Sequence, residues 1–465
     1  MNCRYWLRVG SICVFVAMGV WANASVAQEP TGELVRMVIE LLQNSDKDMR
    51  AIALEQICYE AKGTGATTQF ASQLPKLNSE AQIELLRALG TRADVSAKAL
   101  VLSVLKSSGD TGVRAAAMGT LGELGDSTDL QLLMYALKDD STDIQLAAKK
   151  SLTRLRPPNI NSLLVDAMKN GDAVSQAAMI EVLVARRASE GMPQVAMAVM
   201  GREAKVRRAA MSALAELGSA KQIPEMIQGV LKAEKGAERD AAERAVVNLC
   251  NRIAKPESRA DAVLVARSHL DDASQLDLLS VVAKIGGPKA LETVESTMAS
   301  ANPAHHEFGL KAFCNWPDSA ITDKLVKLIE STANAAERGL EFKALVRLAS
   351  TRDRRNDVDR LARFKQAMTL VKSNEEQALV IDKCRSAYSV DTLRFVLPYV
   401  DQADFAEVAC ETIVELAHHR EIREPNKAEF DKALDRVLQI SKNSVIKDRA
   451  QRYKKGETWQ RPRGN

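Results

Sequence analysis

Aromatic side chains make up only 4% of the 465 residues, although 46% of the chain is apolar. A core so poor in rings has to be built from Ala, Leu, Val, Ile and Met, the side chains that let helices approach one another closely. Proline (13) and glycine (23) are also sparse and fall mostly between helical patterns, which excludes a collagen-like tract or a disordered central linker. No excess of one charge exists: 64 basic residues face 60 acidic ones, and a nearly balanced surface carries no electrostatic footprint for nucleic acid. The seven cysteines form no CxxC or CxxCH spacing and no close pair, so they read as small core residues in preference to a disulfide or metal framework. Histidine is rarer still, with five in all, and HExxH, GxSxG and both glycine-rich phosphate loops are missing.

After residue 22 no segment is long and apolar enough to span a bilayer. Residues 1–27 are different. Arg4 and Arg8 precede an apolar run from Val9 to Ala22, and small residues follow at Ala24, Ser25 and Ala27. This three-part order is that of a secretory signal peptide, with cleavage expected after Ala24 or Ala27. Its removal takes Arg4, Arg8, Cys3 and Cys13 and leaves 62 basic against 60 acidic residues.

What the chain has in abundance is self-similarity. A leucine-like residue returns at Ile57, Leu89, Leu121, Leu152, Leu183, Leu214, Val246, Val282, Phe313, Leu345, Cys384 and Ile413, mostly at a step of 31 or 32 residues. After Cys250 the step drifts to 36, 31, 32, 39 and 29. Around four of these positions Ala116, Ala147, Ala178 and Ala209 coincide, and apolar residues at helical spacing trace one stripe. The other half of each unit repeats as well, with Leu133 mapping onto Leu164, Val195 and Met226. Each unit therefore reads as two antiparallel helices. Asp110 and Asp143 are placed to cap the second helix, and Gly125, Gly218 and Gly286 are placed to close it in a left-handed conformation. The expected fold is all-α, a solenoid of about 12 stacked helix pairs over residues 28–440, followed by a basic tail, 441–465.

The pattern of an acidic residue, then Val-Arg, small residues and L-G-x-L-G, carried by Asp110, Val113, Arg114, Leu121, Gly122, Leu124 and Gly125, resembles the HEAT-repeat family, in particular the bacterial HEAT-like repeats that also occur in phycobilisome lyases. Val206, Arg207, Leu214, Leu217 and Gly218 give the next best copy. The resemblance implies that second helices line a concave face and that the acidic residue and the Arg form a ladder between units, as in Asp46 with Arg50, Asp110 with Arg114 and Glu203 with Arg207. Gln82, Gln145 and Gln176 replace the Arg in other units, and Arg208 follows Arg207. Two roles are open to Arg50, Gln82, Arg114, Gln145, Gln176, Arg207 and Arg208: facing a partner, or being tied into the ladder.

No catalytic residue, metal ligand or cofactor is indicated. Adjacent His305 and His306 on a helix point about 100° apart and suit capping better than chelation. The tail carries Lys442, Lys447, Arg449, Arg452, Lys454, Lys455, Arg461 and Arg463 around Tyr453 and Trp459, a composition suited to an anionic envelope polymer or to a solvated terminus. The expected function is an exported scaffold, in the periplasm or outside the cell, that binds another protein through the concave face without catalysis. A lyase-like chromophore-handling enzyme and a nucleic-acid or polyanion binder are the alternatives.

Overall fold

Every member of the leucine-like column sits on or directly after the second helix of a hairpin and is buried, none more than 2% exposed. The computed structural model describes residues 32–353 and 355–459, so the expected leader, 1–27, and the tail's Arg461 and Arg463 lie outside it. Within the described residues the fold is all-α, without a strand, and no helix is long and apolar enough to cross a membrane. The chain divides into two compact units that meet at Arg186 and Arg187.

The first unit stacks five hairpins: α1 (Gly32–Leu42) with α2 (Lys47–Glu55), α3 (Thr64–Ala71) with α4 (Ser79–Arg92), α5 (Lys98–Ser107) with α6 (Thr111–Leu124), α7 (Leu130–Ala136) with α8 (Thr142–Arg154), and α9 (Ile160–Asn170) with α10 (Ala173–Ala185). Second helices α2, α4, α6, α8 and α10 pack in that order, each on the next.

The second unit continues the theme. It contains α11 (Met192–Met197) with α12 (Ala204–Leu217), α13 (Ile223–Lys232) with α14 (Ala237–Asn251), and α15 (Asp261–Ser268) with a second helix broken into α16 (Asp272–Asp277) and α17 (Leu279–Ile285). Then come α18 (Pro288–Met298) with α19 (Pro303–Cys314), α20 (Thr322–Ser331) with α21 (Ala335–Ser350), α22 (Asp357–Thr369) with α23 (Asn374–Lys383), and α24 (Val390–Val396) with α25 (Ala406–His418). After the short α26 (Arg420–Arg423), α27 (Lys427–Ile440) and α28 (Ser444–Lys454) make a further pair. The described residues thus hold thirteen hairpins where about twelve were expected. Part of the segment read as a tail is the missing helix: α28 buries Ile446, Ala450 and Tyr453 against α25 and α27. Its stripe is only three residues long, and the five charged residues among them, Lys447, Asp448, Arg449, Arg452 and Lys454, hid it.

Second helices approach closely where their residues are small. A Cβ on Gly122 would lie 2.8 Å from Ser151 Cα, and one on Gly90 3.6 Å from Thr120 Cα. Buried hydroxyls stitch the same seams, Thr120 Oγ1 donating to Leu86 O at 2.7 Å, Ser151 Oγ to Met118 O at 2.7 Å and Thr412 Oγ1 to Ile381 O at 3.0 Å. Each donor comes from one residue before the leucine column and each acceptor from three before it in the preceding hairpin.

The caps are partly as expected. Asp110 caps α6 by accepting from Val113 N at 3.0 Å, whereas Asp143 lies inside the first turn of α8 and Ser141 takes the cap position. Gly286 has a φ of 75°, but Gly125 and Gly218 are extended, with φ of −78° and −66°. Their requirement for glycine is steric instead: a Cβ would stand 2.4 Å from Leu121 O and 2.5 Å from Leu214 O.

Two alanine substitutions on one helix should move stability in opposite directions. Gly122→Ala forces α6 and α8 apart and is expected to cost about 1–3 kcal/mol. Gly119→Ala, with nothing within 4 Å of the new Cβ, should stabilise by about 0.5–1 kcal/mol. Denaturant titration of both variants checks this, and equal effects would contradict the seam.

Candidate partner-binding face

A helical hairpin leaves carbonyls unpaired where its first helix ends, and a buried turn has to satisfy them. Seven residues before the leucine column, the chain supplies a long donor for this purpose. Arg50 Nη1 donates to Asn44 O and Ser45 O, Gln82 Nε2 to Leu74 O and Leu77 O, Gln145 Nε2 to Asp139 O at 2.7 Å, and Arg207 Nη1 to Gly201 O and Arg202 O. The same register holds Arg239, donating to Leu231 O, Gln275, donating to Leu270 O, and His306, whose Nδ1 carries the proton 2.6 Å from Met298 O.

The arginines of this column also reach carboxylates. Arg207 grips Glu238 with two bonds of 2.9 Å, Arg50 meets Glu84 at 3.1 Å, Arg114 meets Asp139 at 2.6 Å and Arg338 meets Glu376 at 2.6 Å. Each carboxylate belongs to the following hairpin. The expected ladder therefore exists with different partners: Asp46 and Asp110, four residues before their arginines, are occupied as helix caps. Burial would raise the Glu238 carboxyl, but Arg207 and the Glu234 N–H outweigh it and hold it below its ordinary range.

Of the seven residues singled out from sequence, Arg50 and Arg207 are buried, while Gln82, Arg114, Gln145 and Gln176 are half-buried. Arg208 alone is exposed. It lines a pocket of about 230 Å³ between α12 and α14, floored by Met211, Ala241 and Ala245 and flanked by Arg244.

The larger opening is on the first unit. A groove of about 770 Å³ runs over α6 between α4 and α8. The middle helix offers the small residues Gly112, Ala115, Ala116 and Gly119 along the groove, with Thr120 and Glu123 further along it, and residues of α4 and α8 line the two sides. Arg87 stands on one wall and Lys150 and Arg154 on the other, with half-exposed Leu146 below them. Among the described residues neither Arg87 nor Lys150 has an ion-pair partner, and Arg154 and Arg156 converge on one carboxylate, Glu123, at 3.4 and 3.1 Å. These cations were missed by the sequence reading. Arg87, Lys150 and Arg244 each stand two residues before the leucine column, a register that the alignment contains but that the more regular Arg-Gln column obscured.

Chemistry-bearing side chains are otherwise dispersed. Among the described residues no three His, Cys, Asp or Glu converge as metal ligands would. Burial pushes the thiols of Cys250, Cys314 and Cys384 up to about 12 and that of Cys410 to about 11, so they stay protonated at neutral pH. His305 Nε2 lies 2.9 Å from Asp272 Oδ2, and His418 Nδ1 3.0 Å from Tyr453 Oη. In the C-terminal segment Arg449 pairs with Glu415, Arg452 with Asp448 and Lys454 with Asp435.

Residues 67–153, which include the walls and floor of the groove up to Lys150, match the family model of HEAT repeats. No curated protein matches the chain. Among solved structures it is similar to Kap121p bound to Pho4p (12% identity, TM-score 0.42, covering 88% of this chain and 57% of that one). It is also similar to Kap121p bound to RanGTP (12%, 0.42, 90% and 56%) and to Kap95p with RanGDP (11%, 0.45, 91% and 66%). The chain spans little more than half the length of the Kap121p structures.

Removing one half of a buried ion pair strands the other, so Arg207→Ala is expected to cost about 3–5 kcal/mol, while exposed Arg208→Ala should stay within about 0.5 kcal/mol. Because the folded Glu238 carboxyl is held low, the stabilisation is complete above its unfolded value and disappears as pH falls through the folded one. The gap between wild type and Arg207→Ala should accordingly be full at pH 7 and shrink below about pH 4. A gap independent of pH would show that the pair contributes nothing electrostatic.

Proposed function

We propose that this chain is an exported, non-catalytic scaffold that holds another protein against the face formed by its second helices. The observation that supports this most directly is the groove over α6, an open channel on whose two sides Arg87 and Lys150 stand without an ion-pair partner among the described residues. The two openings that combine small residues with exposed cations, over α6 and between α12 and α14, are both built on second helices. The composition of residues 1–27 supports export. The chromophore-handling alternative draws nothing from the thiols, which burial keeps protonated, and the repeat's arginines are engaged with turn carbonyls and carboxylates.

Photocrosslinking residues placed one at a time at Lys150, Arg244 and Leu340 on second helices, and at Tyr135 and Val265 on first helices, test the reading in the organism of origin. Adducts to a defined protein from the second-helix positions alone are expected; adducts from all five positions alike, or from none, would refute it. Amino-terminal sequencing of the protein recovered outside the cytoplasm should begin at Ser25 or Gln28. A mature chain that keeps Met1 and stays in the cytoplasm would remove export from the proposal.

A further inference from the structure

The groove over α6 has a shape and a charge that narrow its occupant beyond "another protein". Neighbouring packed helices lie roughly 8–10 Å apart, so α4 and α8 stand roughly 16–20 Å apart across α6. A helix laid on the small-residue floor of α6 at that same packing distance rides above α4 and α8, within reach of the long side chains on both. Gly112, Ala115, Ala116 and Gly119 recur at helical spacing along the floor, which lets the backbone of a visiting helix come close to that of α6.

Charge sets the polarity of the visitor. Four cations, Arg87, Lys150, Arg154 and Arg156, line the groove against two carboxylates, Glu123 and Asp143. Arg87 and Lys150 are on opposite walls and both lack an ion pair among the described residues, while Glu123 is shared between two arginines. A ligand that brings carboxylates to both walls completes these pairs. Leu146, 51% exposed, and half-buried Ile83 offer apolar contact lower on the walls.

We propose that the α4–α6–α8 groove binds an acidic amphipathic helix of a partner protein, its apolar stripe on α6 and its carboxylates reaching Arg87 on one side and Lys150 and Arg154 on the other. This rests on the reading of the second-helix face as the partner-binding surface. The mode is helix-in-groove recognition with cationic walls selecting an anionic visitor.

Fluorescence anisotropy with the full chain tests it, using four synthetic probes: a 20-residue peptide with a helical leucine stripe and a glutamate polar face, the same peptide with lysine for glutamate, the glutamate peptide with a central proline, and polyglutamate. The glutamate helix is expected to bind at least about tenfold more tightly than the other three, and to weaken as salt rises. The double variant Arg87→Glu, Lys150→Glu should reduce that binding about tenfold or more, and Gly119→Trp, which fills an open position of the floor, should abolish it. Both variants alter exposed or open positions, and their thermal transitions verify folding. If Gly119→Trp binds as wild type does, the groove is not the site. Equal binding of the lysine peptide removes the charge argument, equal binding of the proline peptide removes the helix, and equal binding of polyglutamate makes the groove a polyanion site; each overturns the proposal. Crosslinks to a protein at Arg244 or Leu340 together with no glutamate-helix binding would sink this inference and leave the scaffold reading standing, whereas no crosslink at any second-helix position sinks the broader reading itself.

Discussion

The unpaired carbonyls at the end of each first helix are the constraint around which this molecule is organised. A stack of short hairpins multiplies helix ends, and every end that is buried between neighbours has to find donors. In seven hairpins the chain solves this with one long side chain, seven residues ahead of the buried leucine: Arg50, Gln82, Gln145, Arg207, Arg239, Gln275 and His306 all reach back to turn carbonyls. Where that donor is an arginine, its remaining nitrogens reach forward to a carboxylate of the next hairpin, as Arg207 does to Glu238. One side chain closes its own turn and joins it to its neighbour. A further group of arginines works in the same direction from the other end of the second helix: Arg186 donates to Leu152 O, Thr153 O and Leu155 O, and Arg347 to Cys314 O and Trp316 O.

This explains why the fold was legible and the binding face was not. Burial in a repeat is periodic, because each hairpin buries the same positions against the same neighbours; twelve leucine-like residues therefore announced the second helices directly. The Arg-Gln column was equally periodic for an internal reason, and periodicity alone cannot tell a structural donor from a binding one. Arg87, Lys150 and Arg244 face solvent, where no packing forces a residue type, so Gly119, Glu181 and Ser212 occupy the same register in other hairpins. The last pair escaped notice because α28 carries little apolar surface beyond Ile446, Ala450 and Tyr453. Gly125 and Gly218 were recognised as helix ends for a conformational reason, yet it is the proximity of the Leu121 and Leu214 carbonyls that demands the missing Cβ.

Irregularity in the second unit has local causes. The 36-residue step between Val246 and Val282 contains a 3-10 turn, Pro256–Ser258, and the division of the second helix into α16 and α17. The 39-residue step between Leu345 and Cys384 contains the loop between α21 and α22 and a long first helix, α22. In each case the extra residues are absorbed outside the leucine position, which stays buried. The repeat tolerates insertion wherever the stacking contact is not disturbed.

The hydroxyls of Thr120 and Ser151 carry a mechanical consequence. Each is anchored to a carbonyl on the adjoining second helix, so α4, α6 and α8 are locked against sliding along one another's axes. At the equivalent seats in α14 and α17 stand Ala245 and Val281, which carry no hydroxyl, and polar ties cross those seams elsewhere, between Arg207 and Glu238 and between Lys284 and Glu243. Both seams that flank the wide channel are pinned in this way. A rigid trough loses little configurational freedom when something settles into it, which favours a receptor shaped in advance over one moulded by its guest.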